Sequence, residues 1–344
     1  MGLIRKEDCE RALHRGIDFL RINQLPNGEF VTLAGPDPDL LTSCDRDPCN
    51  FTTMHVANSL LASGVREGLD LAQRAGKFLF SQMLPGGLWR FWTQDHPGAR
   101  GMPPDVDDTA CITNLLQRMG YSLPDNRALL AANRSSEDLF YTWILPRTGF
   151  LLRPQTWKAL GPFVWNARSV AVFFRSGKEP PQKNGVDAVV NANALLVCGG
   201  ERGASSVVAW LARIIAQDRA AQSDRWYQSE FSLGYAVARA FEFERTLLSP
   251  LVPIVWQSLR NLSRGELSSL DAAQLLCAAF GLGLSDRSLY RLIGELLATQ
   301  GIDGSWAARA HYYGGYARAR AWGSAELTTA FCVEALGRYL HKPD

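Results

Sequence analysis

The sequence lacks an excess of charge of either sign. Its 344 residues include 36 Lys and Arg against 34 Asp and Glu, so the formal net charge at pH 7 is +2. A strongly basic surface is what attracts a protein to nucleic acid or to an anionic membrane. The composition therefore gives no reason to expect a nucleic-acid partner.

Long apolar runs and closely spaced cysteines are also missing. No stretch approaches the ~18 uninterrupted apolar residues of a membrane span, and the segment from Met1 to Asp8 has no apolar core of signal-peptide length. We therefore expect a cytoplasmic protein without a membrane span. The seven cysteines are odd in number and never stand at CxxC spacing, which predicts reduced, mostly buried thiols.

Strand signals are scarce, whereas helical periodicity runs through the chain. No two-residue hairpin turn flanked by alternating strands is present, and apolar residues recur at helical spacing over 6–23 and 66–82. Further helices are predicted over 51–63, 105–119, 127–145, 155–174, 186–197, 205–221, 232–241, 250–258, 271–280, 289–299 and 326–340. Outer amphipathic and inner apolar helices alternate, which favours an all-α barrel or toroid. No linker divides the chain, so residues 1–344 are interpreted as one domain.

A short pattern of Gln, a Gly-containing turn and an aromatic residue follows three of these helices. The copies run from Gln24 to Phe30, from Gln82 to Trp89 and from Gln300 to Trp306. A Gln amide can satisfy the unpaired backbone groups at a helix end, and Gly adopts the positive φ that the turn needs. The pattern therefore predicts a turn that holds neighbouring helices together.

Three carboxylates lie at the start of an apolar helix, directly after two prolines. Asp105 and Asp108 share a face of this helix, because residues three apart are neighbours, and Asp107 stands beside them. Carboxylates this close cannot all ionise cheaply, so one is expected to keep its proton near neutral pH. Two interpretations are open at this point: a helix N-cap, which needs only one or two acids, or a Brønsted acid in an apolar cavity.

The segment from Asp105 to Ala110 is similar to the DxDD acid motif of the class II terpene cyclases, the family of squalene-hopene cyclase and of the copalyl diphosphate-forming diterpene cyclases. Gln300 to Trp306 resembles the family's QW motif, and the other two turns look like weaker copies. The resemblance implies one (α/α)6 barrel that protonates and cyclises a linear isoprenoid. It also implies that Asp107 is the general acid, with Asp105 and Asp108 as supports.

The residue that reloads the acid is less directly indicated. Squalene-hopene cyclase holds its acid with a downstream His, whereas this chain has no His between His96 and His311. Plant-type diterpene cyclases use an Asn in part of the reloading network, so the resemblance makes Asn191 or Asn193 a candidate. Either Asn could equally cap or bridge helices.

Carbocations are stabilised by the faces of aromatic rings, and several large aromatic residues lie in Gly-rich turns or loops. The candidates for the cavity wall are Trp89, Phe91, Trp92, Trp226, Tyr227, Trp306, Tyr312, Tyr313 and Trp322. Arg318 and Arg320 are candidates for binding a diphosphate, with a solvated surface arginine as the alternative for each.

A single barrel suits a short isoprenoid better than a triterpene, which lies between the two barrels of the larger family members. We therefore expect farnesyl or geranylgeranyl diphosphate, or a prenylated small molecule, and a second copy or another domain could close the cavity. Mg²⁺ often accompanies a diphosphate. The acidic loop with Asp37, Asp39, Asp45 and Asp47 matches no metal motif, so no metal ligand is assigned.

Three other functions remain open. A protein prenyltransferase β subunit shares the barrel but needs a Zn²⁺ site, for which Asp271, Cys277 and His311 are the available residues. A non-catalytic barrel would bind an isoprenoid or a protein partner. An α/α-barrel glycosidase would need two carboxylates ~5–10 Å apart across a groove, which adjacent acids in one motif do not supply.

Overall fold

The computed structural model describes residues 4–147, 167–175, 180–227, 229–314 and 319–342. The helices in these ranges are α1 (Lys6–Asn23), α2 (Asn50–Ala62), α3 (Arg66–Ser81), α4 (Val106–Arg118), α5 (Arg127–Ala132), α6 (Ala167–Phe173), α7 (Ala188–Cys198), α8 (Ala204–Ala216), α9 (Glu230–Phe241), α10 (Arg245–Leu248), α11 (Val252–Leu262), α12 (Ser269–Gly281), α13 (Arg287–Thr299) and α14 (Ala325–Leu340). The strands are β1 (Leu33–Gly35), β2 (Asp45–Arg46), β3 (Arg309–Gly314) and β4 (Arg320–Ser324).

Six of the described helices form a closed inner ring. Their contacts run from α2 to α4, α7, α9, α12 and α14, and α14 packs back against α2. Helices α2 and α7 are buried on almost every side, because small and apolar residues occupy all of their faces and no polar stripe is left for solvent. The ring is therefore the core of the barrel.

Each outer helix packs against one helix of this ring. Helix α1 packs on α14, α3 on α2, α8 on α7, α11 on α9 and α13 on α12. Each carries one apolar face, as α3 shows by burying Leu71, Ala75 and Leu79 at helical spacing. The expected all-α barrel is confirmed by this arrangement. No helix in the described ranges combines the length and the apolar character needed to cross a bilayer.

Most predicted helices are present, with two departures. The helix predicted over 127–145 ends at Ala132, and the chain beyond it folds into a tight turn in which Arg134 bridges Phe140. Asn133 stops the helix because its side chain donates to the Tyr141 carbonyl instead of facing solvent. The helix predicted over 155–174 lies largely outside the described residues, and its described part is α6.

A small antiparallel sheet, which the sequence did not predict, has the strand order β2-β1-β4-β3. Strand β4 leads directly into inner helix α14, so the sheet lies at the N-terminal end of that helix. Strand signals were scarce in the sequence, and these four strands were not among the predicted elements. A bulge between Ala310 and Tyr312 breaks the alternation by which a strand is recognised in a sequence.

Two of the three Gln-containing turns hold neighbouring helices together as predicted. The Gln300 amide nitrogen donates to the carbonyls of Gly304 at 2.9 Å and of Ala12 in α1 at 2.8 Å. Gln24 donates in the same way, to Gly28 and to Leu71 of α3. Gln82 departs from this pattern, because its oxygen accepts from the Gln94 backbone N–H.

All seven cysteines are free, and all except Cys44 are buried. The prediction of mostly buried thiols is confirmed.

Gly304 offers a test of the turn geometry. Its φ is +89°, and a Cβ added there would lie 2.4 Å from the Arg15 carbonyl oxygen. We expect Gly304→Ala to lower the free energy of unfolding by about 2 kcal/mol or more, because strain and backbone overlap add. Gly294→Ala, in α13 with nothing within 4 Å of the added Cβ, should be neutral or stabilising. Equal denaturation midpoints for the two variants would contradict this geometry.

Candidate active site

The three acidic side chains lie together at the N-terminal end of α4. Asp105 is the N-cap residue, and its Oδ1 accepts the Asp108 backbone N–H at 2.7 Å. The three residues are only 4%, 7% and 4% exposed in chain order. The N-cap interpretation is therefore correct for Asp105, but capping does not explain the burial of Asp107 and Asp108.

Three side chains from separate segments approach the carboxyl group of Asp107. Asn193 of α7 donates its amide N–H to Oδ1 at 2.7 Å, and the Tyr227 hydroxyl donates to Oδ2. The Cys111 sulfur, one turn further along α4, lies 3.9 Å from Oδ1. Donors aimed at both oxygens stabilise the carboxylate that remains when the acid gives up its proton.

The pKa values of the three acids are raised to different extents and for different reasons. Burial, and then the charge of Asp107, raise the pKa of Asp105 to about 7. Burial and both neighbouring carboxylates raise the pKa of Asp108 well above its ordinary value. Burial also raises the pKa of Asp107, but the hydrogen bonds from Tyr227 and Asn193 lower it. Asp107 is thus the acid whose ionised form is stabilised by side-chain hydrogen bonds from other segments, although burial leaves its pKa raised.

The structure separates the two candidate asparagines. Asn191 spends its amide on the backbone: its oxygen accepts the Phe140 N–H at 2.8 Å, and its nitrogen donates to the carbonyls of Phe140 and Asp187 at 3.0 and 2.9 Å. Asn191 therefore bridges segments, and Asn193 is the one that contacts Asp107.

Tyr312 of β3 is the centre of an aromatic cluster beside the acids. Its ring stacks on Phe91 with centroids 4.8 Å apart and on Trp226 with centroids 5.6 Å apart. Trp322 and Tyr227 meet it edge-on, both at 5.8 Å. Burial, and then the charges of the three acids, raise the pKa of the Tyr312 hydroxyl, so the cluster lies within electrostatic reach of the acid group.

Two aromatic residues expected at the substrate site are not brought to this cluster. Trp89 and Trp306 are fully buried, and their indole N–H groups donate to the carbonyls of Leu79 in α3 and Leu296 in α13, each at 2.8 Å. These contacts place both side chains against outer helices. The structure thus corrects their predicted role: they pack the turns that hold the helices together.

The other expected contacts lie at the margin of the cluster. Trp92 stacks on His96 with centroids 4.3 Å apart and meets Phe91 at 6.3 Å. Tyr313 packs in a small separate cluster with Leu40 and Ala321.

Of the two arginines expected to bind a diphosphate, one lies in the described part of the chain. Arg320 pairs with Asp47 at 3.3 Å, and the same carboxylate accepts the indole N–H of Trp322 at 2.8 Å. Part of the charge of Arg320 is thereby neutralised. Arg318 lies outside the described residues.

A cavity of about 310 Å³ opens next to Trp226, with Trp143, Asp187, Asp224 and Gly314 among its lining residues. Asp187 and Asp224 are both buried. Burial, and then the charge of Asp187, raise the pKa of Asp224 to about 8.

Asp224 also organises the loop that carries Tyr227. Its Oδ1 accepts the backbone N–H groups of Trp226 and Tyr227, both at 2.9 Å, and its Oδ2 accepts that of Val189 in α7, also at 2.9 Å. The loop is thereby fixed to the start of the helix that carries Asn193, so both donors to Asp107 depend on one carboxylate.

The described residues contain no group of three or more His, Cys, Asp or Glu that could hold a metal ion. The proposed zinc ligands are engaged elsewhere: Cys277 donates to the Phe331 carbonyl, Asp271 accepts from two serines, and His311 faces Gln274. These residues do not fit a zinc site. The acidic loop likewise does not form a cluster that fits Mg²⁺.

Arg239 of α9 is a site residue that the sequence analysis missed. It is 5% exposed and donates to the Asn193 side-chain oxygen at 3.1 Å and to the Cys111 sulfur at 2.9 Å. The available signal was a basic residue inside an apolar inner helix, where charge is rare without a reason.

Comparison of the sequence with protein-family models gives no match, and comparison with curated proteins gives none either. Solved structures do match. A protein from Actinoplanes is 19% identical, with a TM-score of 0.69 over 96% of this chain and 99% of that one. The type II terpene cyclase MstE from Scytonema is 14% identical, with a TM-score of 0.68 over 99% of this chain and 100% of that one.

An ent-copalyl diphosphate synthase from Streptomyces platensis is 16% identical, with a TM-score of 0.55 over 84% of this chain and 50% of that one. A variant of MstE is known in complex with its substrate, geranylgeranyl dihydroxybenzoate. At identities this low, the structural similarity establishes the fold alone. The chain therefore has the fold of the type II terpene cyclases, as the resemblance predicted.

The raised pKa of Asp105 predicts a pH-dependent stability. In the unfolded chain this carboxyl has the ordinary value of 3.8, against about 7 when folded. The unfolded state therefore loses its proton first, and stability falls as the pH rises from about 4 to about 7. Asp105→Asn keeps a good N-cap and removes this titration, so its advantage over wild type should grow by on the order of 3 kcal/mol between pH 4 and pH 8.

Chemical denaturation at several pH values measures this difference. Asp125→Asn, which changes an exposed carboxylate paired with Arg127, serves as the control and should show no such growing advantage. Parallel stability curves for wild type and Asp105→Asn would show that Asp105 is not the titrating group.

Proposed function

We propose that the protein is a class II terpene cyclase, which protonates a linear isoprenoid and cyclises it, with Asp107 as the general acid. The observation that carries this proposal is the buried carboxyl group of Asp107, which receives hydrogen bonds from Asn193 and Tyr227 beside a cluster of aromatic rings. An N-cap or a surface ion pair needs none of these features.

Alkene protonation demands a stronger acid than an ordinary carboxylic acid. In the proposed step the O–H bond of Asp107 breaks, the π electrons of the terminal alkene form the new C–H bond, and a carbocation and a carboxylate result. The carboxylate is stabilised where it forms, because Asn193 and Tyr227 already point at its oxygens. Asp105, with a pKa raised to about 7, and Asp108, with a pKa raised well above its ordinary value, are assigned as supports beside the acid.

The carbocation must survive while the rings close. The ring centroid of Tyr312 lies within 6 Å of those of Phe91, Trp226 and Trp322, and we assign this cluster to cation stabilisation. Burial of Phe91, Trp226 and Trp322 keeps water from the intermediate. The last cation loses a proton to a general base, and Asp107 takes up one proton again from solvent before the next turnover, so the alkene product is an isomer of the substrate.

For the substrate we propose an isoprenoid of farnesyl or geranylgeranyl length. The sequence favours a diphosphate head group, for which Arg320 and Arg318 are the proposed contacts. The substrate of the fold neighbour MstE supports the second possibility, a prenylated small molecule. Mg²⁺ would enter only as the counter-ion of a diphosphate, and a second copy or domain that closes the cavity stays a prediction.

Asp107→Asn tests the acid. The amide cannot supply the proton, so we expect cyclisation to fall below detection while Tm is unchanged or raised, because a buried ionisable group has been removed. Farnesyl diphosphate, geranylgeranyl diphosphate and a geranylgeranylated dihydroxybenzoate are each incubated with the protein, and products are identified by mass spectrometry.

Asp125→Asn, at the surface, should retain full activity in the same assay. Identical product profiles from wild type and Asp107→Asn would reject the acid assignment. Binding of an isoprenoid without turnover by wild type would favour the non-catalytic alternative.

The two asparagines give a matched pair for a second test. Asn193→Leu should reduce kcat at least ~100-fold, more than its loss of stability explains, because it removes a hydrogen bond to the ionised acid. Asn191→Leu should instead lower the free energy of unfolding by about 2 kcal/mol or more, because the backbone groups of Phe140 lose their buried partner. Calorimetry and steady-state kinetics separate the two effects, and a reversed pattern would contradict the assignment.

A further inference from the structure

Arg239 is a buried cation, and one side chain, that of Asn193, lies between it and the proposed acid. One of its terminal nitrogens donates to Asn193 Oδ1 at 3.1 Å and to the Cys111 sulfur at 2.9 Å. The ring centre of Tyr235 lies 5.3 Å from the guanidinium carbon. Its other terminal nitrogen is buried without a hydrogen-bond partner among the described residues.

Such a placement is costly. A charge removed from water destabilises the fold by several kcal/mol unless a partner of opposite charge compensates. Arg338 in the same barrel has such partners, with Glu242 at 2.6 Å and Glu334 at 2.8 Å. Within the described part of the chain Arg239 forms no ion pair, although it is buried and Arg338 is only partly buried.

On the premise that Asp107 is the general acid, we propose that Arg239 is a positioning residue that sets the strength of this acid through Asn193. An Asn side chain can present either its oxygen or its nitrogen to a neighbour. Because Arg239 donates to the oxygen, the Asn193 nitrogen is turned toward Asp107. This relay from Arg239 through Asn193 therefore holds an N–H donor, and never an acceptor, against the Asp107 carboxylate that forms when the proton leaves.

The charge of Arg239 acts in the same direction as this relay. The groups that face Asp107 come from its own helix and from every segment packed around it. They are Asp105, Asp108 and Cys111 on or before α4, Asp187 and Asn193 at α7, Tyr227 in the loop before α9, Tyr312 on β3, and Arg239 on α9. Arg239 is the cation in this set, and its charge favours the ionised form of Asp107.

The pH dependence of turnover distinguishes this role from a structural one. A general acid works in its protonated form, so activity is lost as the pH rises through the pKa of the acid group. Removal of the nearby positive charge raises that pKa and weakens the acid. Turnover should therefore become slower while its alkaline limit moves to higher pH. Damage to the fold would lower turnover without moving the limit upward.

The experiment measures kcat and KM from pH 5 to pH 10 for wild type, Arg239→Met, Arg239→Lys and Asp107→Asn. For Arg239→Met we expect kcat to fall at least ~10-fold with KM little changed, and the alkaline limit to rise by about one pH unit. Its Tm should be unchanged or raised, because an unpaired buried charge has been replaced by an apolar side chain of similar length. Arg239→Lys keeps the charge but not the planar fork, so it should lower kcat with the limit unmoved.

Arg118 supplies the matched control, because it lies on inner helix α4 and also donates to an Asn oxygen, that of Asn58 at 3.0 Å. Arg118→Met should leave both kcat and the alkaline limit at their wild-type values. Wild-type kcat in Arg239→Met, or a lowered kcat with an unmoved or lowered limit, would overturn the proposal.

If circular dichroism shows that Arg239→Met does not fold, Arg239→Gln, which also removes the charge, decides: a reduced kcat with a raised alkaline limit supports the proposal, and a wild-type kcat or an unmoved limit overturns it. Failure of the proposed function has a different signature. It would appear as absent turnover by wild type or as undiminished turnover by Asp107→Asn, whatever the Arg239 variants do.

Discussion

The hydrogen bond from Asn193 to Asp107 is the contact on which the organisation of the site depends. It joins α7 to the first turn of α4, and it stands between a buried carboxyl group on one side and a buried guanidinium group on the other. A charge on either group is costly in this interior, and the contact offsets part of that cost. Together they form a buried chain of polar groups from Tyr227 to Arg239.

The barrel positions this chain through a contact that recurs from one inner helix to the next. An aromatic residue at the end of each preceding turn donates its backbone N–H to a polar side chain in the first turns of an inner helix. The pairs are Phe30 with Thr53, Trp89 with Thr109, Phe140 with Asn191, and Trp306 with Thr329. Asn191 thus makes the contact that recurs in the barrel. Asn193 lies two residues further along the helix, and its side chain takes no part in that contact and can serve the site.

Much of the fold could be predicted because it rests on local patterns. Helical periodicity predicted the inner and outer helices. The spacing of the three acids alone left an N-cap open, and the resemblance of the segment from Asp105 to Ala110 to the DxDD motif singled out Asp107. Strand β3 was not predicted, because its bulge removes the alternation of side chains. Trp89 and Trp306 were assigned to the cavity, because the sequence does not say which way an indole in a turn will point. Arg239 escaped for another reason: it meets Cys111 and Asn193 only after the ring of helices has closed.

The ring also joins the two ends of the described chain. Helix α14 packs against both α2 and α1, and Gln300, just before the last turn, donates to Ala12 in the first helix. Contacts of such long sequence separation form late, since the intervening chain must be ordered first. During synthesis the apolar faces of α1 and α2 that pack on α14 are therefore covered only after residues 325–340 have been made. Until then the growing chain carries an open seam between α2 and α12, which is the stage at which it is most exposed to aggregation.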